Sequence, residues 1–346
     1  MKVLVRATNW LGDAVISIPA LHEIRRAHPG AEIVILTRQW VADLYAREDF
    51  CDRILVYQNK GLHAGVLGRL RLAQTLRHEQ FDKAILLQNA FDAAILAFLA
   101  RIPVRIGYAR DARGILLTES IPVPVPGAIP NHQRFYYLEL LRRAGIINEL
   151  PECADIRLGG VDRAAADGRR GWKSRNLPEG PWIGVSPGAA HGTAKRWIPE
   201  RFAAAAAELS RQLNANIAIF GSPAEAELAE SIASQAGSRA HSLAGKTSLS
   251  EFIELASTCS VYLTNDSGPM HVAAALGLPT VAIFGATDHI ATGPSASWAR
   301  VLRHEVECSP CMLRECPIDH PCMTGVSVDE VVTEALALLE ASNERI

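Results

Sequence analysis

The sequence has no G-x-G-x-x-G fingerprint after the first strand of either half, and no G-x-x-x-x-G-K-[ST] loop. The first absence weighs against a dinucleotide dehydrogenase and the second against a P-loop kinase. No two aspartates stand one residue apart. Many metal-dependent sugar transferases hold a divalent cation with such a pair. A diphosphate bound here would need a cationic side chain and a helix N-terminus instead. Charge of one sign is also missing: 35 Lys and Arg stand against 37 Asp and Glu. That balance argues against general nucleic-acid binding. No apolar run is long enough to span a membrane. AAILAFLA is too short, and HVAAALGLPTVAIFGA is broken by Gly277 and Pro279 into helix, turn and strand. The opening MKVLVRA lacks the length and cleavage site of a signal peptide. The expected location is the cytoplasm, and composition leaves room for peripheral contact with a membrane.

What is present is α/β rhythm over 346 residues, of which 49% are apolar and 21% charged. KVLVRA, EIVIL, RILVY and KAILL read as buried strands. AVISIPALHEIRRAH lies between two of them, with Ile16, Ala20, Ile24 and Ala27 at helical spacing. The stretch from about 145 to 180 is rich in Gly and Pro and reads as a connector. After it WIGVSP, ANIAIFG, SVYLTN and TVAIFG restart the alternation. The expected fold is α/β with two Rossmann-like domains, residues 1–165 and 166–346, their parallel sheets facing across a cleft. A closing helix over residues 327–343, capped by Ser327 or Asp329, is expected to pack back toward the N-terminal domain.

Ligands of such folds bind in loops that leave the carboxyl ends of strands. After SVYLT comes NDSGPMHVAAALGLP. Asp266 and Ser267 suit a helix cap, Gly268 permits close approach, and His271 lies on the same first turn. The turn reads as a phosphate site or an ordinary capped helix. After WIGVSP comes GAAHGTAKRWIP, where Gly188, Lys195 and Arg196 suit an anion or a solvated surface loop. Two such loops in one domain favour a phosphorylated ligand. Glu225, after the strand ending in FGS, reads as a solvated acid at a helix start. In the first domain Asp13 is the one carboxylate of the first strand-end loop, TNWLGDAVISIPAL, and reads as a helix cap. RIPVRIGYARDARG is read as a basic loop, solvated or facing an acidic ligand, through Arg101, Arg105, Arg110 and Arg113.

Four of the seven cysteines, Cys308, Cys311, Cys316 and Cys322, crowd into CSPCMLRECPIDHPC. The C-x-x-C start and two further thiols fit tetrahedral ligand spacing, or reduced thiols that pack a loop.

SPGAAHGTAKRWIP, TNDSGPMHVAAALGLPTVAIFG and NWLGDAVISIPAL together resemble the bacterial ADP-heptose:lipopolysaccharide heptosyltransferases, and the P-G-A-x-x-G-x-A-K-R-W form looks most like the type II enzymes. Ile198 separates Trp197 from Pro199 where the family pattern has Trp-Pro. The resemblance implies a GT-B architecture and a metal-independent, inverting transfer of L-glycero-D-manno-heptose from ADP-heptose. The implied acceptor is the first inner-core heptose of heptosyl-Kdo-lipid A. It makes Asp13 the catalytic base and Lys195 the partner of the leaving diphosphate. The other donor residues would be Gly188, Arg196, Glu225, Asp266, Ser267, Gly268 and His271. Gly12 and the four arginines of the basic loop would meet the acceptor. No cofactor is implied, and any metal on the cysteines would be structural. A heptosyltransferase with another acceptor and a sugar-nucleotide epimerase of similar shape are the alternatives.

Overall fold

The computed structural model of the chain describes residues 1–152 and 155–344, so Cys153 lies outside the described residues. The chain forms two compact units, Met1–Cys153 and Ala154–Ile346.

The first unit is a parallel sheet of β1 (Lys2–Arg6), β2 (Glu32–Arg38), β3 (Arg53–Tyr57), β4 (Lys83–Leu86), β5 (Val104–Tyr108) and β6 (Glu119–Ile121). Their order is β3-β2-β1-β4-β5-β6. Strands covered on both faces become continuous apolar runs, and Val3, Leu4 and Val5 of β1 and Ile33 to Leu36 of β2 are fully buried. β5 corrects the reading of residues 101–114 as a loop. Its Arg105 sits in the ladder opposite Ala84, lies over the Phe98 ring, and donates to the carbonyls of Ile102 and Leu116. Backbone acceptors and an aromatic face satisfy the charge, so it need not break the strand. The helix expected through residues 14–28 is divided into Leu11–Ile16 and Ile18–Ala27. Pro19 in the first turn of the second helix cannot donate to the ladder, and Ser17 closes the gap by donating from Oγ to the Ala14 carbonyl at 2.8 Å.

The second unit is a parallel sheet of β7 (Trp182–Ser186), β8 (Asn216–Ile219), β9 (Ala240–Ser242), β10 (Cys259–Asn265), β11 (Thr280–Phe284) and β12 (Ala299–Arg303). The order is β12-β11-β10-β7-β8-β9, which repeats the first unit strand for strand. In each sheet the chain first builds one side and then returns past its first strand to build the other. The switch points lie between β1 and β4, and between β7 and β10. There the loops leave in opposite directions and open a crevice at the carboxyl ends.

The boundary expected at 165/166 cuts a helix, Val161–Ser174, that belongs to the second unit. Trp172 stacks on Trp182 of β7 with ring centres 4.0 Å apart and donates Nε1 to Thr258 Oγ1 at 2.7 Å. A Cβ on Gly168 would lie 2.0 Å from the Glu254 carbonyl oxygen. Gly168, with Gly171 against Leu255, lets this helix cross Leu249–Ala256 closely. The closing helix, Val328–Asn343, is capped by Ser327, which accepts from Glu330 N at 3.2 Å. Within the second unit it packs on the helix Pro199–Leu213 and on β10 and β11.

Candidate functional site

At the switch point of the second unit, β7 and β10 deliver their exit loops side by side. Lys195, after β7, places Nζ 2.5 Å from Oδ2 of Asp266, after β10. Thr287, after β11, donates Oγ1 to the same oxygen at 2.5 Å. Lys195 is largely buried and Asp266 fully so. An ammonium held in so little water interacts strongly with any second anion that reaches it. Asp266 is therefore not the helix cap it resembled: its carboxylate is spent on Lys195 and Thr287. Ser267 occupies the cap position of the helix Gly268–Ala275, but its side chain makes no cap bond and instead lies 3.2 Å from Thr264 Oγ1. His271 is buried on the first turn.

The Lys195 loop is fixed from three sides, which corrects its reading as a solvated loop. Asn265 Oδ1 accepts from Trp197 N at 2.9 Å, and Asn265 Nδ2 donates to the Pro187 carbonyl at 2.6 Å. Trp197 is buried and donates Nε1 to the Val326 carbonyl at 3.1 Å. Ala194 N donates to the Arg314 carbonyl at 3.0 Å. A Cβ on Gly192 would lie 2.1 Å from that same oxygen. Arg196 is half-buried beside Lys195, and its Nε has no hydrogen-bond partner among the described residues. Gly188 and Glu225 also meet: a Cβ on Gly188 would lie 1.8 Å from Glu225 Oε1. Glu225 is tied into its own turn, where Oε2 accepts from Ser222 N at 2.7 Å and Ser222 Oγ at 2.8 Å.

The cysteine segment buttresses this loop through Arg314. Ser309 Oγ donates to the Gly285 carbonyl at 2.6 Å, and Met312 N to the Ala286 carbonyl at 2.7 Å. Cys308, Cys311, Cys316 and Cys322 are free thiols. Burial, with the three other thiols nearby, raises the pKa of Cys322. Among the described residues, no group of three or more His, Cys, Asp or Glu is arranged to hold a metal ion.

In the first unit Asp13 follows β1, the strand beside the switch point. It is the third residue of the helix Leu11–Ile16, whose cap position belongs to Trp10. This corrects the cap reading. Gln133 Nε2 donates to Asp13 Oδ1 at 3.3 Å and to the Tyr137 hydroxyl at 3.4 Å. The turn before Gly12 is pinned at Asn9: its side-chain oxygen accepts from Arg6 at 2.8 Å and Arg38 at 3.2 Å, and its carbonyl from Trp40 at 2.9 Å. Burial and the nearby Arg38 charge lower the pKa of the fully buried Arg6 to about 10. Gln133 also lines a cavity of about 350 Å³ with Asn89, Arg110, Val125, His132 and Tyr136.

Of the four arginines expected at the acceptor, only Arg110 lines this cavity. Arg101 and Arg105 lie at the amino end of β5, away from the strand exits, and Arg105 is occupied as described. Arg113 is completely buried. It donates to the Tyr108 carbonyl at 2.9 Å, to Asn89 Oδ1 at 3.1 Å and to the Gln88 carbonyl. Burial lowers its pKa to about 10. Arg113 is a brace between the ends of β4 and β5.

Thr287, Asn265 and Gln133 were missed from sequence. Thr287 and Asn265 stand at strand exits, in FGATD and TND, so the strand-end rule covers them. Gln133 has no local signal, because it lies 120 residues from its partner.

The chain matches glycosyltransferase family 9 (heptosyltransferase) over residues 69–321. It is 31% identical over 317 residues to lipopolysaccharide heptosyltransferase 2 of Salmonella typhimurium, covering 88% of each chain. It is 30% identical over 318 residues to lipooligosaccharide heptosyltransferase 2 of Haemophilus influenzae, again covering 88% of each. Its fold superposes on the solved structure of E. coli ADP-heptose lps heptosyltransferase II with a TM-score of 0.82 and 28% identity, over 99% of this chain and 100% of that one.

Proposed function

Since the chain belongs to glycosyltransferase family 9, the heptosyltransferases, we propose that it moves L-glycero-D-manno-heptose from ADP-heptose onto the first inner-core heptose of heptosyl-Kdo-lipid A. The observation that carries this reading is the similarity to heptosyltransferase 2 proteins across 88% of each chain.

The chemistry is a single inverting displacement. The acceptor hydroxyl oxygen bonds to the anomeric carbon, and the bond from that carbon to the diphosphate breaks. Its electron pair leaves with ADP, and the hydroxyl proton passes to Asp13. Lys195 takes up the charge that grows on the departing diphosphate. Asp266 and Thr287 support this role by fixing Lys195 and its counter-charge. Gly188, Arg196, Ser267, Gly268 and His271 form the rest of the donor site, with Glu225 at the adenosine ribose. Gly12 and Arg110 meet the acceptor. The cation the step needs is Lys195, so the reaction proceeds without a resident metal.

The acceptor is lipid-linked, so the enzyme works as a peripheral protein at the cytoplasmic face of the inner membrane. No helix among the described residues is long and apolar enough to cross a membrane.

The test is incubation with ADP-heptose and a panel of truncated core acceptors. Free ADP and one extended glycolipid are expected. Extension of a different acceptor would reassign the enzyme within its family, and an altered sugar nucleotide without transfer would point to epimerisation.

A further inference from the structure

The segment after β3 is unusual for a water-exposed surface. Residues 58–78 contain Lys60, Arg69, Arg71 and Arg77 and no Asp or Glu. Within it Leu62, Val66, Leu67 and Leu70 face solvent; Val66 is 72% exposed and Leu67 80%. Monomeric soluble proteins rarely leave clustered aliphatic side chains uncovered without a use for them.

This surface is built rather than loose. A Cβ on Gly68 would lie 2.3 Å from the His63 carbonyl carbon, so the glycine lets the loop lie against the first turn of the helix Gly65–His78. Arg71 Nη1 donates to the Leu62 carbonyl at 3.3 Å, and Gln58 N donates to His63 Nδ1 at 3.1 Å. Leu62 and the first helical turn thus form one platform with Lys60 and Arg71 at its margins. Arg69 is paired with Asp92. β3 runs parallel to β1 within the same sheet, so the platform stands at the sheet end that carries Asp13.

We propose that this platform, Leu62, Val66, Leu67 and Leu70 with Lys60 and Arg71, docks the protein on an anionic lipid bilayer. The inference rests on the reading that the acceptor is lipid-linked, and it names the surface that meets the lipid. Anionic headgroups match the cations, and the acyl boundary just below them takes the aliphatic side chains. A second copy of the chain fits poorly, because a two-fold contact would set these cations against themselves.

The experiment is co-flotation of the full chain with vesicles of phosphatidylcholine, with and without phosphatidylglycerol. Wild-type protein is expected to bind the anionic vesicles, less so as salt rises. The double variant Val66→Glu, Leu67→Glu should bind about tenfold or more weakly, and Lys60→Glu should weaken binding to anionic vesicles alone. All should transfer heptose to a delipidated core oligosaccharide like wild type. Undiminished vesicle binding by the double variant would overturn the proposal. So would wild-type protein that ignores anionic vesicles, or a double variant that changes only oligomeric state. Vesicle binding is read without donor or acceptor. Failure of wild-type transfer therefore counts against the proposed reaction and not against the docking surface.

Discussion

Gln133 reaches Asp13 with a neutral donor: its Nε2 lies 3.3 Å from Asp13 Oδ1 and 3.4 Å from the hydroxyl of buried Tyr137. An amide can orient a carboxylate without supplying a counter-charge. A lysine or arginine there would hold the aspartate ionised but make it a poorer proton acceptor. Gln133→Glu should place a second carboxylate beside the first and raise the pKa of Asp13. A base works only when deprotonated, so the acid limb of the kcat/KM profile should move to higher pH, by about one unit. A profile unchanged in position would leave Gln133 a structural residue only.

Lys195 shares Asp266 with Thr287, so its removal leaves the buried carboxylate with a neutral partner and costs stability as well as donor binding. Lys195→Ala should weaken ADP-heptose binding about tenfold to a hundredfold, the range for a lost charge-assisted hydrogen bond. Titration calorimetry with ADP-heptose checks it, and unchanged affinity would remove Lys195 from the diphosphate.

Gly192 tests the buttress beneath that loop. A methyl group there would lie 2.1 Å from the Arg314 carbonyl oxygen, so Gly192→Ala must push the Lys195 loop off the cysteine segment. Weaker ADP binding is expected, with a melting temperature lowered by a few degrees for about 1–2 kcal/mol lost. Normal donor affinity would show that the segment does not position Lys195.

Arg113 separates a brace from an acceptor contact. Arg113→Leu should lower stability by about 2–4 kcal/mol, since it strands the buried carbonyls and Asn89 that the guanidinium satisfies. Denaturant unfolding measures it. A stable variant with only a raised acceptor KM would restore the residue to the acceptor site.

The helix Arg134–Arg143, which follows Gln133, carries a buried Glu139 paired with Arg142 and Arg143. Their hydrogen bonds lower the Glu139 pKa. A carboxyl with a depressed folded pKa stabilises the fold above its unfolded value, near 4.5, and that contribution is lost as pH falls through the folded value. Glu139→Gln should therefore flatten the acid side of the stability profile. An unaltered acid transition would remove the triad from the pH response.

The sheets were legible where both faces are buried, as in KVLVRA and TVAIFG, because such strands are unbroken apolar runs. β5 was not legible, since Arg105 and Arg110 made the segment look like a loop. Only the fold shows that the Arg105 charge is satisfied by two carbonyls and a phenylalanine ring. Gly168 and Gly171 misled in the same way: a close helix crossing and a linker use the same residue. The donor loops were legible through their positions after strands. The Lys195–Asp266 pair was not, because Asp-Ser-Gly before a helix looks like a cap. Gln133 depended on a contact across 120 residues, which no local pattern encodes.

The most direct test of the account is Asp13→Ala, measured in single turnover with ADP-heptose and the truncated core acceptor, alongside donor affinity. General-base catalysis contributes about 10²–10⁴-fold, so transfer should fall by that order while ADP-heptose binds as it does to wild type. Transfer at the wild-type rate would contradict the account, and so would equal loss of transfer and donor binding, which would make Asp13 a structural residue.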